Sequence, residues 1–204
     1  MDARRATSAK CAAAAVALAA AATTAACGSD AAAPPPADAA PPTSHVTAGA
    51  FLTPEIASNA VTYDPAKVPL NSTATVTESV HGSQTVVTLN VSGLQPSTEY
   101  GVHATTQPCG KEPGSAGARY QNRPDPASST GQPSTDPEYA NPSNELWLDF
   151  TTTAADTAYG TRTLGWTFRP GEARSLVFLD HLTSTGSQDA GDAGARLACL
   201  DVDF

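Results

Sequence analysis

The sequence predicts an all-β domain behind a targeting segment and a tether, and three observations carry that prediction. Val, Thr, Tyr and Phe gather in short runs separated by Gly, Pro, Asn and Asp, the pattern of strands and turns. Beyond the first 26 residues, no apolar period of 3.6 residues is sustained for ten positions, so helices are not expected. Apolar residues make up 40% of the 204-residue chain, enough for one core, whereas charged residues are few at 15%.

The first element is a targeting segment. Arg4, Arg5 and Lys10 precede an Ala-rich apolar run, Cys11–Ala26, that is short for a spanning helix. The run ends in Thr24-Ala25-Ala26-Cys27-Gly28, which resembles the lipobox of bacterial lipoproteins, with Thr24 standing where leucine is usual. The resemblance implies cleavage before Cys27 and lipidation of its thiol. A signal peptide over 1–26 is therefore expected, then the lipidated Cys27 and a Pro/Ala tether over 27–45, then the β domain over 46–204. The tether, typified by Ala31–Ser44, favours extended polyproline and acts as a spacer. This places the chain outside the cytoplasm, held to the membrane by its lipid.

Cysteine usage agrees with export. Cys11 leaves with the signal and Cys27 carries lipid, so Cys109 and Cys199 remain for a disulfide in an oxidising compartment. The net charge is −9, and removing residues 1–26 takes away three basic groups and one acid, leaving −11. No cluster of Lys and Arg exists beyond residue 10, so a nucleic-acid partner is excluded. No protein partner can be named from these residues.

The strands follow in order. Val46–Leu52 opens the domain, and Ile56–Tyr63 follows Pro54. Ala74–Val80 and Thr85–Val91 flank the turn residues His81-Gly82, and the second alternates well enough to have one wet face. Gly93-Leu94-Gln95-Pro96-Ser97 is turn chemistry leading into Glu99–Ala104. Thr106–Ser143, rich in Pro, Gly and Ser, reads as a long loop, and loops of that length in compact domains are functional or disordered. Glu145–Thr151, Thr161–Phe168, Arg174–Leu179 and Arg196–Val202 complete the runs. So many short strands suit a sandwich or Greek-key barrel.

Four segments, in order, resemble the copper/zinc superoxide dismutase family. Leu89-Asn90-Val91-Ser92-Gly93-Leu94 leads to Glu99-Tyr100-Gly101-Val102-His103, where the family has Gly-x-His-x-His. Cys109 opens the long loop, and Gly117-Ala118-Arg119-Tyr120-Gln121 is similar to Gly-x-His-Phe/Tyr-Asn. Arg174–Leu179 matches the strand that ends in the last copper histidine. Gly191-Asp192-Ala193-Gly194-Ala195-Arg196-Leu197-Ala198-Cys199 matches Gly-x-Ala-Gly-x-Arg-x-Ala-Cys, which carries the anion-guiding arginine and the disulfide cysteine. The resemblance spans residues 84–204 and implies an eight-stranded Greek-key barrel with the Cys109–Cys199 bridge.

The resemblance also implies a ligand set, and most of it is missing. His103 stands at the first copper position, Thr105 replaces the second ligand, Arg119 the bridging histidine and Leu179 the last. No histidine lies between His103 and His181, and Asp125 and Asp136 are the loop's aspartates. Zinc is not expected, and copper has only His103 and His181, the latter two residues beyond Leu179 on an extended chain. His45 in the tether and His81 in a turn read as surface residues. Arg119 would bring a permanent cation into the emptied cavity, with Asp149 as one candidate partner. Arg196 would guide an anion if the protein were active. Trp147, Trp166, Phe150, Phe168 and Phe178 read as packing. No Gly-x-Ser-x-Gly elbow supports serine catalysis. The expected function is a binding or structural module without metal-dependent catalysis. The alternatives are a superoxide dismutase with an atypical or copper-only site, and a surface copper-binding protein.

Overall fold

The computed structural model describes residues 42–128 and 134–204. The signal segment, Cys27 and the tether before residue 42 lie outside the described residues. Among the described residues nine strands form: β1 (Thr43–Ala50), β2 (Ala60–Thr62), β3 (Thr73–His81), β4 (Gln84–Ser92), β5 (Glu99–Thr105), β6 (Phe150–Thr151), β7 (Thr157–Leu164), β8 (Ser175–Leu179) and β9 (Arg196–Asp201). They build two sheets, β1-β3-β4-β7 and β2-β9-β8-β5-β6, with every strand pair antiparallel. A 3₁₀ turn spans Pro113–Ala116.

The core lies between the sheets because the strands alternate. In β4, Val87, Leu89 and Val91 are buried, while Asn90 is exposed. They meet Tyr100 and Val102 from β5, Phe178 from β8 and Leu200 from β9, all essentially without solvent contact. Each such side chain contributes about 1.5–3 kcal/mol through burial. β8 is buried at all five positions, as befits a strand flanked by β5 and β9 and covered on both faces.

Four elements differ from the sequence expectation, each for a local reason. The first sheet begins at Thr43: Thr43, Ser44 and His45, read as tether, pair with Val80, Ser79 and Glu78. Over Ile56–Tyr63 only three residues form a strand, because the amides of Ile56 and Ala57 turn back to the Thr53 carbonyl. β7 starts at Thr157 and stops at Leu164, since its register is set by β4 and Trp166 and Phe168 leave it to join Tyr120. Within Glu145–Thr151 only Phe150–Thr151 pairs regularly. There the Asp149 side chain takes the Val102 amide at 3.2 Å, where a neighbouring backbone carbonyl would otherwise sit. The nine strands match the nine runs read from the sequence and exceed by one the eight that the family resemblance implied.

The long loop is tied down at both ends. The Cys109–Cys199 disulfide holds it to β9 with a Cα–Cα distance of 5.7 Å, and the Cys109 amide donates to Asp201 Oδ1 at 2.6 Å. The amides of Thr106 and Gln107 bond the carbonyls of Ala118 and Ala116, and Asn122 bonds Asn144.

Candidate functional site

The face of the second sheet that points away from the core carries the site. β5 has a period of two, so Tyr100, Val102 and Ala104 enter the core while His103 and Thr105 face the loops. Val177 and Leu179 of β8 and Cys199 of β9 lie on that same side in a small apolar cluster with Ala116 and Ala193. Between this face and the loops is a cavity of about 110 Å³ lined by His103, Thr105, Arg119, Leu179, Gly191–Gly194 and Arg196.

His103 is 3% exposed, and its Nε2 lies 2.7 Å from Thr183 Oγ1. The Thr183 hydroxyl donates to Asp149 Oδ1 at 2.9 Å, so the imidazole donates from Nε2 and keeps its lone pair on Nδ1. Asp149 Oδ2 also accepts the Thr183 amide at 2.7 Å. Burial holds the His103 pKa well below 6.5, and the Arg119 and Arg196 cations push the same way. The ring is neutral at physiological pH.

Arg119 occupies the middle of the site. Its backbone bridges Thr105, and its Nε donates to Glu145 Oε2 at 2.9 Å. Nη1 donates to the Gly191 carbonyl at 2.8 Å and Nη2 to the Ser134 carbonyl. Gly191 has φ +78°, and a Cβ there would run into the guanidinium. Glu145, 1% exposed, also accepts Trp147 Nε1 and Gln121 Nε2, each at 2.7 Å. Burial pushes the Glu145 carboxyl up, against the pull of Arg119 and of those donated hydrogen bonds. With three donors aimed at its two oxygens, the carboxylate form is the one this geometry suits.

The other expected residues fall as follows. The Thr105 hydroxyl is 2.6 Å from Ser175 Oγ, which itself donates to the Gln107 carbonyl, so the Thr105 proton is committed. Leu179 is buried in the apolar cluster. Arg196 donates to the carbonyls of Pro113 and Gly117 at 3.0 and 2.6 Å, holding the 3₁₀ turn against β9. His181 is exposed and does not line the cavity; its ring lies over Gly194, and its Nδ1 is 2.8 Å from the Leu182 carbonyl. His45 and His81 are both exposed, on β1 and at the end of β3. Asp149 is not the partner of Arg119. It serves Thr183 and Val102, and Glu145, four residues earlier on the same extended segment, takes the guanidinium.

Compared with known proteins, the chain matches no family model and no curated sequence. Among solved structures it is similar to the Cu/Zn superoxide dismutase from Brucella abortus, with a TM-score of 0.50 and 16% identity over 78% of this chain and 100% of that one. The fold is that of the copper/zinc superoxide dismutases. A proline-to-histidine mutant of a superoxide dismutase-like protein from Bacillus subtilis is also similar, at 10% identity and TM-score 0.46, covering 72% of this chain and 96% of that one.

The donor set of this superoxide dismutase-like site does not fit a copper–zinc centre. Copper and zinc need three or more imidazole, thiolate or carboxylate donors converging on one point. The cavity is lined by one imidazole, a single carboxylate (Asp192, which accepts the Gly194 amide), a hydroxyl whose proton is taken, aliphatic side chains, and the guanidiniums of Arg119 and Arg196, which offer donors only. Among the described residues, no three His, Cys, Asp or Glu stand close enough together to hold a metal ion. Sequence reasoning missed Glu145, Trp147 and Thr183 as site residues. The signal was present for two of them: in Glu145-Leu146-Trp147-Leu148-Asp149, polar and apolar positions alternate, which puts Glu145, Trp147 and Asp149 on one face.

Proposed function

We propose that the protein is an exported superoxide dismutase-like lipoprotein that serves as a binding or structural module, without metal-dependent catalysis. The supporting observation is the Arg119–Glu145 ion pair: a permanent cation, 9% exposed at its side chain, sits where the family's resemblance would put a metal-bridging imidazole. Export is supported by the Cys109–Cys199 disulfide and by the lipobox-like Cys27 segment. Among the described residues no helix is long and apolar enough to cross a membrane; the anchor read from the lipobox-like segment is lipid on Cys27.

A second reading, copper capture at the cell surface, has one observation in its favour. The His181 ring lies over Gly194, which lines the cavity that also holds His103. The deciding experiment purifies the full chain from a host with an export pathway, offers it cupric and zinc ions, and measures bound metal and superoxide dismutation. We expect substoichiometric metal and no dismutation above buffer. One copper per chain with turnover would make it an enzyme, and one copper without turnover would make it a copper-binding protein. Either result overturns the proposal.

A further inference from the structure

The geometry points to a clamp built from the segment Glu145–Asp149, whose two carboxylates join the loops over the site in place of bound metal. This inference rests on the reading of the site as metal-free.

In an extended segment, positions i, i+2 and i+4 share a face. Leu146 and Leu148 are buried in the core, which turns Glu145, Trp147 and Asp149 toward the loops. The two carboxylates then hold different partners. Glu145 grips Arg119, and Arg119 reaches the carbonyls of Ser134 in the long loop and Gly191 in the loop before β9. Asp149 grips the amide and hydroxyl of Thr183, at the other end of that second loop, and the Val102 amide in β5. Thr183 passes the connection on to His103. One five-residue stretch thus fastens the long loop through Arg119 and Gln121, with Ser134 reached through Arg119, and the 180–194 loop at two points.

A bound metal joins loops because one charged centre attracts donors from several segments, and its binding energy becomes folding energy. The guanidinium meets the same requirement with hydrogen bonds in a fixed plane. Its three used nitrogens diverge to three separate segments, which a lysine ammonium on a flexible stem would not reproduce. Gly191 is part of the device, since only a residue without Cβ lets the guanidinium close on its carbonyl. The Gly191 amide in turn bonds the Ser184 carbonyl at 2.9 Å, so the loop is closed on itself as well as on the barrel.

Hydrogen–deuterium exchange on the full chain tests the clamp. Wild-type protection of 116–122 and 181–192 should be the same with a chelator as with added cupric or zinc ions. Arg119→Met should speed exchange in both segments by on the order of tenfold or more, while β3 and β4 keep their protection, and Arg119→Lys should not restore it. Asp149→Asn should speed exchange around Thr183 and leave 116–122 protected. If Arg119→Met fails to fold, the double variant Arg119→Met with Glu145→Met removes both charges at once and should fold with both loops still exchanging fast. Unchanged loop protection in the folded variants would sink the clamp while leaving the proposed function standing. A wild-type loop that is protected only after metal is added would sink it too.

Discussion

At the scale of single residues, Glu78 is a buried acid outside the site. It points inward from β3 with Ala74 and Val76, is 6% exposed, and stands opposite His45 on β1 and Val87 on β4. Burial pushes its carboxyl above the ordinary 4.5, and the facing His45 pulls back only in part. The native state therefore favours the protonated acid. Its contribution is complete below the unfolded carboxyl pKa and is lost as pH rises through the raised native value. Glu78→Gln should raise Tm at pH 7 by about 2–4 °C and change it little at pH 4, as followed by circular dichroism. An equal effect at both pH values would show that packing rather than charge is responsible. His103 has the opposite sign. Its lowered pKa leaves it neutral in the fold and charged in the unfolded chain, so stability falls as pH drops below 6.5 toward the native value.

At the scale of elements, the disulfide and the 145–151 segment do the organising. Cys109–Cys199 closes a 90-residue separation and fixes the start of the long loop to β9. In the chain-entropy model such a loop is worth about 4–5 kcal/mol, with about 2–5 kcal/mol typical when a native bridge is removed. Replacing both cysteines by alanine should lower the urea midpoint accordingly; a midpoint within error of wild type would show that the unfolded chain gains little freedom. The pairing was legible from counting cysteines once the N-terminal segment was read as an export signal, and β4 and β8 were legible from alternation and from an unbroken apolar run. The Glu145–Thr151 segment was legible only as a strand former. That Asp149 would displace a ladder bond, and Glu145 would meet an arginine 26 residues earlier, depends on neighbours that local pattern does not encode.

At the scale of the whole molecule, charge and topology set the partners. On the proposed reading the mature chain has a side-chain charge of −11, which disfavours nucleic acid, and lipid on Cys27 is its membrane attachment. Cys27→Ala should abolish incorporation of a labelled fatty acid into the expressed chain, with its fold and disulfide intact. Labelling that persists in the variant would show that lipid is carried elsewhere. Composition, alternation and cysteine count were enough for the all-β class and the disulfide, because each is local or a matter of counting, whereas the replaced ligand positions were readable only through the family resemblance. Which carboxylate neutralises Arg119, where the His103 proton sits, and how two loops are tied to one strand were decided only by the tertiary structure. Those properties belong to side chains that are distant along the chain and meet only after both sheets have packed.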